Sequence, residues 1–391
     1  MAQEGFYWLI KSYFLRKDIT VVMIYQSLSD FVYFRGRVAL YAILEALGVK
    51  RGDEIITQAF TCIAVPEAII AIGAKPIYVD IQSNNVNMDV NDLLKKLSSK
   101  TKAIIVQHTY GIPADMDNII KIAEEKNIPI IEDCCHTLMS TYKGKIVGTF
   151  GAGNFYSFEW GKPVIVGIGG SAIVNNVSLR EKLKSDYNDY KFPSQVSQLR
   201  LRLQYIVHNI LYKPSSYWFG RSLYHKMASL GIAEGNYNPI QEGESKSQDY
   251  SLRMSDYHRK LLEKEIEKIE NLTSHSKWVA SQYRERIKSN VVCHVKVSND
   301  CKVIFARYPL ITFNKQELLE KARKANIEIA DWYSTPIHPI KSNKWTLINY
   351  KKGLCPNAEM MCTKIVTLPT NKKVTRSDVN NIVNFLNKVK I

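Results

Sequence analysis

Residues 101–136 read TKAIIVQHTYGIPADMDNIIKIAEEKNIPIIEDCCH, and their pattern decides the fold. Two apolar, β-branched runs, KAIIVQH and IPIIEDC, flank DMDNIIKIAEEKN, whose apolar residues recur at helical spacing. A strand, a helix and a second strand in so short a span predict a right-handed crossover, which sets the two strands parallel in one sheet. The alternation continues upstream. VALYAILEALGV from residue 38, AVPEAIIAIGA from 64 and DVNDLLKKLSS from 89 read as helices, while EIITQAF from 54 and KPIYVDI from 75 read as strands. The expected fold class is therefore α/β, a largely parallel sheet covered by helices on both faces.

The chain has 391 residues, 46% of them hydrophobic and 23% charged, enough for a substantial core and long for one domain. We expect a large domain over 1–245 and a smaller α+β domain over 246–391, joined near the loop-like GIAEGNYNPIQEGESKSQ. After Asn176 the text turns charged and irregular, and beyond the join SDYHRKLLEKEIEKIENL reads as one long polar helix. Seven cysteines, an odd number with no Cys-x-x-Cys pair, predict neither a disulfide framework nor a metal site. The amino terminus lacks a signal-peptide pattern and no run of 18 apolar residues occurs, so a soluble, cytoplasmic protein is expected. The net charge of +16 favours anionic partners, but no nucleic-acid-binding module accompanies it and no nucleic acid is expected.

In open parallel sheets, ligands bind beyond the carboxyl ends of the strands. Here those ends carry Phe60-Thr61, His108 and Glu132-Asp133. Lys162 lies in SFEWGKPVIVGIGG, five residues after Ser157 and just before a glycine-rich turn. Most lysines are solvated surface groups, but this one has a hydroxyl on one side and a pliable backbone on the other. Asp133 ends an apolar strand, His136 follows three residues later, and Gly36-Arg37 open a helix whose amino-terminal amides suit an anion. An amine, a buried acid, a flat aromatic and anion donors form the set that pyridoxal-5′-phosphate (PLP) requires. Lys162, Asp133, Phe60 and the Gly36-Arg37-Ser157 group are the candidates.

These residues sit in segments that together resemble the DegT/DnrJ/StrS group of PLP-dependent sugar aminotransferases. The likeness is carried by GRVALYAILEALGVKRGDEII, AKPIYVDI, HTYGIPADMDNIIKIAEEKNIPIIEDCCH, SFEWGKPVIVGIGG, RMSD at Arg253 to Asp256, and LPTNKKVTRSDV. The resemblance implies the fold-type-I, aspartate aminotransferase-like architecture: a mostly parallel seven-stranded sheet between helices, and a smaller carboxyl-terminal domain. It also makes Lys162 the Schiff-base lysine, Asp133 the pyridinium partner and His136 a neighbour of the ring's O3′. Phe60 becomes the stacking aromatic, and Ser157, Gly36, Arg37 and Ser251 the phosphate group. Two positions depart from the family pattern. Ile168 replaces the usual glutamate of the glycine turn, and Ser251 stands where an asparagine commonly reaches the neighbouring subunit's phosphate.

The implied activity moves an amino group, with glutamate the expected donor, to a keto-sugar, expected to be nucleotide-linked, in surface-polysaccharide or glycan biosynthesis. A smaller phosphorylated ketone, a lipid-linked acceptor, or a catalytically idle sensor or scaffold are the alternatives. Tyr110, Arg253 and His338 are candidate substrate contacts, and a homodimer is implied. Residues 190–233 stand apart: no Asp or Glu occurs between Asp189 and Glu234, while Lys191, Arg200, Arg202, Lys213, Arg221 and Lys226 do. Leu199, Leu203, Ile206, Val207, Ile210 and Leu211 recur there at helical spacing, with Tyr217, Trp218, Phe219 and Tyr224 behind them. Such a basic amphipathic segment either packs on the dimer or the large domain, or lies on an anionic membrane surface.

Overall fold

A computed structural model describes residues 27–229 and 247–391. The alternation in the sequence becomes a seven-stranded sheet. In chain order its strands are β1 (Val32–Tyr33), β2 (Glu54–Gln58), β3 (Lys75–Val79), β4 (Thr101–Gln107), β5 (Ile130–Asp133), β6 (Gly153–Ser157) and β7 (Gly170–Val174). Their spatial order is β1-β7-β6-β5-β4-β2-β3, and β7 alone runs against the others. Strands β4 and β5 pair in parallel from Ile104 with Ile130 to Gln107 with Asp133, as their crossover requires. The intervening helix, Met116–Glu125, begins on Asp115, whose carboxylate accepts the Asn118 amide. It buries Met116, Ile119, Ile122 and Ala123 along one face against the sheet.

The opposite face of the sheet is covered by α1 (Gly36–Ala46), of which nearly every residue is buried. Its entry is tight. A side chain on Gly36 would meet Ser157 Cβ at 3.0 Å, and one on Gly170 would meet Gly36 Cα at 2.4 Å, so the helix start lies directly on the ends of β6 and β7.

A second, three-stranded antiparallel sheet is built from Val292–His294, Arg307–Thr312 and Ile365–Pro369. Helices Ile269–Arg286 and Arg376–Lys388 cover it around Tyr283, Leu310, Leu368, Val379 and Ile382. A short parallel pairing of Thr61–Cys62 with Ile337–His338 carries this half of the chain to the carboxyl edge of the main sheet. The expected join at residue 245 falls in 230–246, outside the described residues, as does the amino-terminal stretch read for a signal peptide.

Two sequence expectations need correction. The single long polar helix is two, Asp256–Ile266 and Ile269–Arg286, separated at Glu267-Lys268. The charged stretch after Asn176 is also regular: Val177–Tyr187 is a helix capped by the Asn176 side chain. Beyond it come α2 (Gln195–Leu211) and α3 (Tyr217–Ser229). Ile168 packs with Phe34 and with Leu201 of α2. The residue that breaks the family's glycine-turn pattern is thus an apolar seat for the helix pair.

Candidate active site

Side chains alternate across a strand, so the adjacent acids at the end of β5 face opposite ways and do different work. Glu132 is fully buried and accepts hydrogen bonds from the amides of Gly148, Phe150 and Gly151 at 2.6, 2.7 and 2.8 Å. His108 Nδ1 accepts the Ala114 amide at 3.1 Å, which leaves Nε2–H to donate to Glu132 at 3.1 Å. Glu132 and His108 are therefore framework. Glu132→Ala would leave three buried amides without their acceptor, and we expect it to cost about 3–5 kcal/mol of stability, read by denaturant unfolding.

Asp133, also buried, accepts the Cys135 amide at 2.9 Å. Burial raises its pKa, opposed by that amide and by the charge of Lys162. Half-buried Lys162 holds its Nζ 5.1 Å from the centre of the Trp332 ring. The other face of this cluster is His136, whose ring centre lies 4.7 Å from that of Trp332. His136 Nδ1 accepts the Tyr110 amide at 3.3 Å, so in the neutral ring the proton sits on Nε2, 3.3 Å from Tyr333 Oη. Burial, and then the Lys162 charge, hold its pKa far below the ordinary histidine value, keeping it neutral. Lys162 also contributes to the electrostatics of Cys62, Cys135 and His338. One amine thus stands at the meeting point of β5, the Cys62 strand and the 332–338 segment.

His338, an expected substrate contact, lines the same cavity as Lys162. Its Nδ1 accepts from the Ser334 amide at 3.2 Å. Burial, then Lys315, Arg221 and Lys162, push its pKa down to about 3. An unfolded histidine protonates near 6.5 and this one only near 3, so the unfolded chain binds the extra proton between those values and stability falls as pH drops through that window. The unfolding midpoint of the wild type is expected to fall from pH 6.5 toward 4 more steeply than that of His338→Gln.

Other expected contacts are placed differently. Tyr110 is fully buried with its hydroxyl donating to the Trp332 carbonyl, so it braces the Trp332 segment. Phe60, expected to stack on a ring, is likewise fully buried, edge-on to Tyr110 and to Tyr333 with centres 6.1 and 5.2 Å away. Its ring belongs to the core, and the next strand, Thr61–Cys62, supplies the neighbour of Lys162 instead.

Arg37 is nearly buried and gives Nη1 to Glu67 at 2.8 Å and Nη2 to Asp249 at 3.0 Å, so its charge serves carboxylates of its own chain. Arg35 bridges the same Asp249 and Glu159. Ser157 is buried beside the Gly36–Gly170 contact. Ser251 is exposed and donates to the Gln248 carbonyl at 2.9 Å. Arg253 stacks on Phe192 with its guanidinium 4.1 Å from the ring centre, away from the Lys162 cavity.

That cavity has a volume of about 570 Å³. Its floor is Trp160, Lys162, Trp332 and His338, and its far wall is Ala306, Arg307 and Asn371 of the second sheet and the loop after it. Its roof was not foreseen from sequence: α2 contributes Leu203, Val207 and Leu211, and α3 contributes Arg221 and Tyr224. The roof is pinned across the cavity. Tyr212 Oη donates to Glu328 at 2.9 Å, Trp218 Nε1 to the Ile327 carbonyl at 2.8 Å, and Lys373 Nζ to the Asn209 carbonyl at 2.7 Å.

The segments that build this site match one family pattern, DegT/DnrJ/EryC1/StrS aminotransferases, continuously over residues 35–387. The chain belongs to that family. The family is one of PLP-dependent aminotransferases. GDP-perosamine synthase of Escherichia coli O157:H7 is 43% identical over 147 residues, 38% of this chain and 40% of that protein. dTDP-3-amino-3,6-dideoxy-alpha-D-galactopyranose transaminase of Aneurinibacillus thermoaerophilus is 25% identical over 90% of this chain and 82% of that one. The PLP form of a putative sugar aminotransferase of Streptococcus pneumoniae shares the fold, with a TM-score of 0.69 at 21% identity over 91% of this chain and 85% of that one. As in this family, the main sheet is seven-stranded and mostly parallel. Among the described residues no cluster of His, Cys, Asp or Glu suits a metal ion, and no helix is long and apolar enough to cross a membrane.

Proposed function

We propose that this protein transfers an amino group from an amino-acid donor, glutamate by expectation, to the keto group of a sugar, with Lys162 and Asp133 as its working residues. The observation that carries the reading is that one amine, Lys162, lines the floor of a cavity and lies within the electrostatic reach of Asp133, the buried carboxylate at the end of β5. The residues fit the family's cofactor. Gly36 and Gly170 pack backbone to backbone beside Ser157 at the start of α1, a helix amino terminus at which an anion is favoured. Asp133 would pair with the pyridine nitrogen, Lys162 would anchor the cofactor covalently, and neutral His136 would flank the ring. PLP, when bound, supplies an electron sink for charge developing at the carbon that gains or loses the amine.

With the cofactor bound, Lys162 would be the group that takes and returns the proton at the carbon that loses or gains the amine. Asp133 would favour the protonated ring nitrogen, and Trp332 with the roof of α2 and α3 would restrict water. In balance, the donor leaves as its 2-oxo acid and the ketone oxygen is replaced by the amino group. GDP-perosamine synthase and the dTDP-amino-sugar transaminase among the relatives are named for nucleotide-linked sugars, which supports a sugar acceptor here.

A homodimer and a large domain joined to a smaller one near residue 245 belong to this reading. All seven cysteines are unpaired, which supports a reducing, cytoplasmic setting. Purified protein supplied with glutamate and a panel of keto-sugars should release 2-oxoglutarate. A protein that lacks the cofactor's visible absorbance and releases none would be the idle scaffold instead.

A further inference from the structure

The roof of the cavity has a second face. Nine of the fourteen exposed large hydrophobic residues among the described chain lie between Phe192 and Phe219, so the exposure is concentrated on the α2–α3 pair. Val196, Leu199, Leu203, Ile206 and Ile210 of α2 are 69, 59, 54, 45 and 67% exposed. At about 100° per residue they share a stripe roughly 80° wide, and Arg202 and Arg200 fall about 40° beyond its two edges. Both arginines are exposed, and Arg202 lies on the Tyr257 ring with its guanidinium 4.8 Å from the centre. A narrow apolar stripe between two cations is the arrangement that sinks into a bilayer surface while the charges stay among phosphates.

This stripe is continuous with the catalytic cavity. Leu203, Val207 and Leu211 are 54, 42 and 46% exposed and also line the cavity beside Lys162. An apolar chain lying along α2 can therefore turn into the cavity without leaving apolar surface. Inside it meets Trp160, Tyr217, Tyr224 and Trp332, with Arg221 exposed on α3.

Resting on the transamination reading above, we propose that the keto acceptor is borne on a lipid and reaches Lys162 from an anionic bilayer on which α2 lies. Charge complementarity selects this occupant. Between Asp189 and Glu234 there are six Lys or Arg and no Asp or Glu. Anionic headgroups neutralise this patch, whereas a second copy seated on a two-fold axis passing through it would set like charges against each other.

The test uses the holoenzyme and vesicles of about three parts phosphatidylcholine to one part phosphatidylglycerol. Most of the wild type is expected to float with the vesicles at low salt, with a several-fold loss at high salt. Leu199→Ser/Ile206→Ser/Ile210→Ser, whose side chains do not line the cavity, is expected to float at least fivefold less. Wild type that stays at the bottom at low salt overturns the proposal. So does a triple variant that floats normally but sediments as a monomer where the wild type is a dimer, since the stripe is then a subunit contact.

For the acceptor's carrier, farnesyl phosphate and uridine diphosphate are titrated against tryptophan fluorescence, with Trp160 and Trp332 as cavity reporters. Farnesyl phosphate is expected to bind at least tenfold more tightly, and Val207→Asp to weaken it at least tenfold. Tighter binding of uridine diphosphate overturns the lipid-borne acceptor. Glutamate alone should bleach the cofactor's visible band, a step that needs no acceptor. Holoenzyme that bleaches but neither floats nor binds farnesyl phosphate refutes this inference alone. Holoenzyme that bleaches with neither glutamate nor glutamine refutes the transamination reading, and the acceptor inference with it.

Discussion

Lys162→Ala is expected to abolish amino-group transfer and covalent retention of the cofactor together, with a rate loss of about 10²–10⁴-fold from the missing proton transfer alone. The cavity's other basic residues, Arg200, Arg221 and Arg307, carry guanidinium groups, which cannot act as the nucleophilic amine. Lys162→Arg should therefore be as inactive as the alanine variant even though it keeps the charge over Trp332. Borohydride reduction followed by peptide mapping should find the phosphopyridoxyl group on the peptide containing Lys162. Adduct on a different lysine would remove Lys162 from its role.

Asp133→Asn is the second large expected effect. The substituted amide can still accept from the Cys135 N–H, now 2.9 Å from Asp133, so the local turn should survive. What is lost is the negative charge. A neighbouring opposite charge typically moves a pKa by about 1–3 units, so the pyridine nitrogen should lose its proton and the donor half-reaction should slow by about 10- to 1000-fold. The discriminating measurement is the rate at which glutamate bleaches the cofactor, set beside the unfolding midpoint. Lower stability with an unchanged rate would make Asp133 a structural acid like its neighbour Glu132.

Local pattern was enough to place the elements of the main sheet. The strands at 54–58, 75–79, 101–107 and 130–133 and the helices between them fall where apolar runs and 3.6-residue spacing put them. Lys162, Asp133, His136 and Ser157 stand out as candidates in the sequence because they lie near strand ends or beside glycines, positions that a parallel sheet turns toward one edge. Tyr110 and Phe60 stand at the same strand ends but face inward. Both residues have positive φ, 58° and 65°, and that backbone turn carries their rings into the core. One-dimensional spacing does not encode such a turn for residues other than glycine.

The sequence by itself determined the α/β class, the succession of strands and helices along the main part of the chain, and the family. Each depends on periodicity and motifs within a few dozen residues. Only the tertiary structure decided what those residues touch. Arg37 looked like an anion donor in its helix start, yet Glu67 and Asp249, the latter more than 200 positions away, claim its guanidinium. Residues 190–233 offered packing or a membrane surface as alternatives, and the structure shows packing on one face of α2, where Leu201 meets Ile168 and Phe34, while Leu199, Ile206 and Ile210 stay exposed. That the same helix also roofs Lys162 follows from long-range anchors such as Tyr212 to Glu328 and Trp218 to Ile327. Pairings across a hundred residues are fixed by which surfaces remain once the two sheets have packed, and no local pattern carries that information.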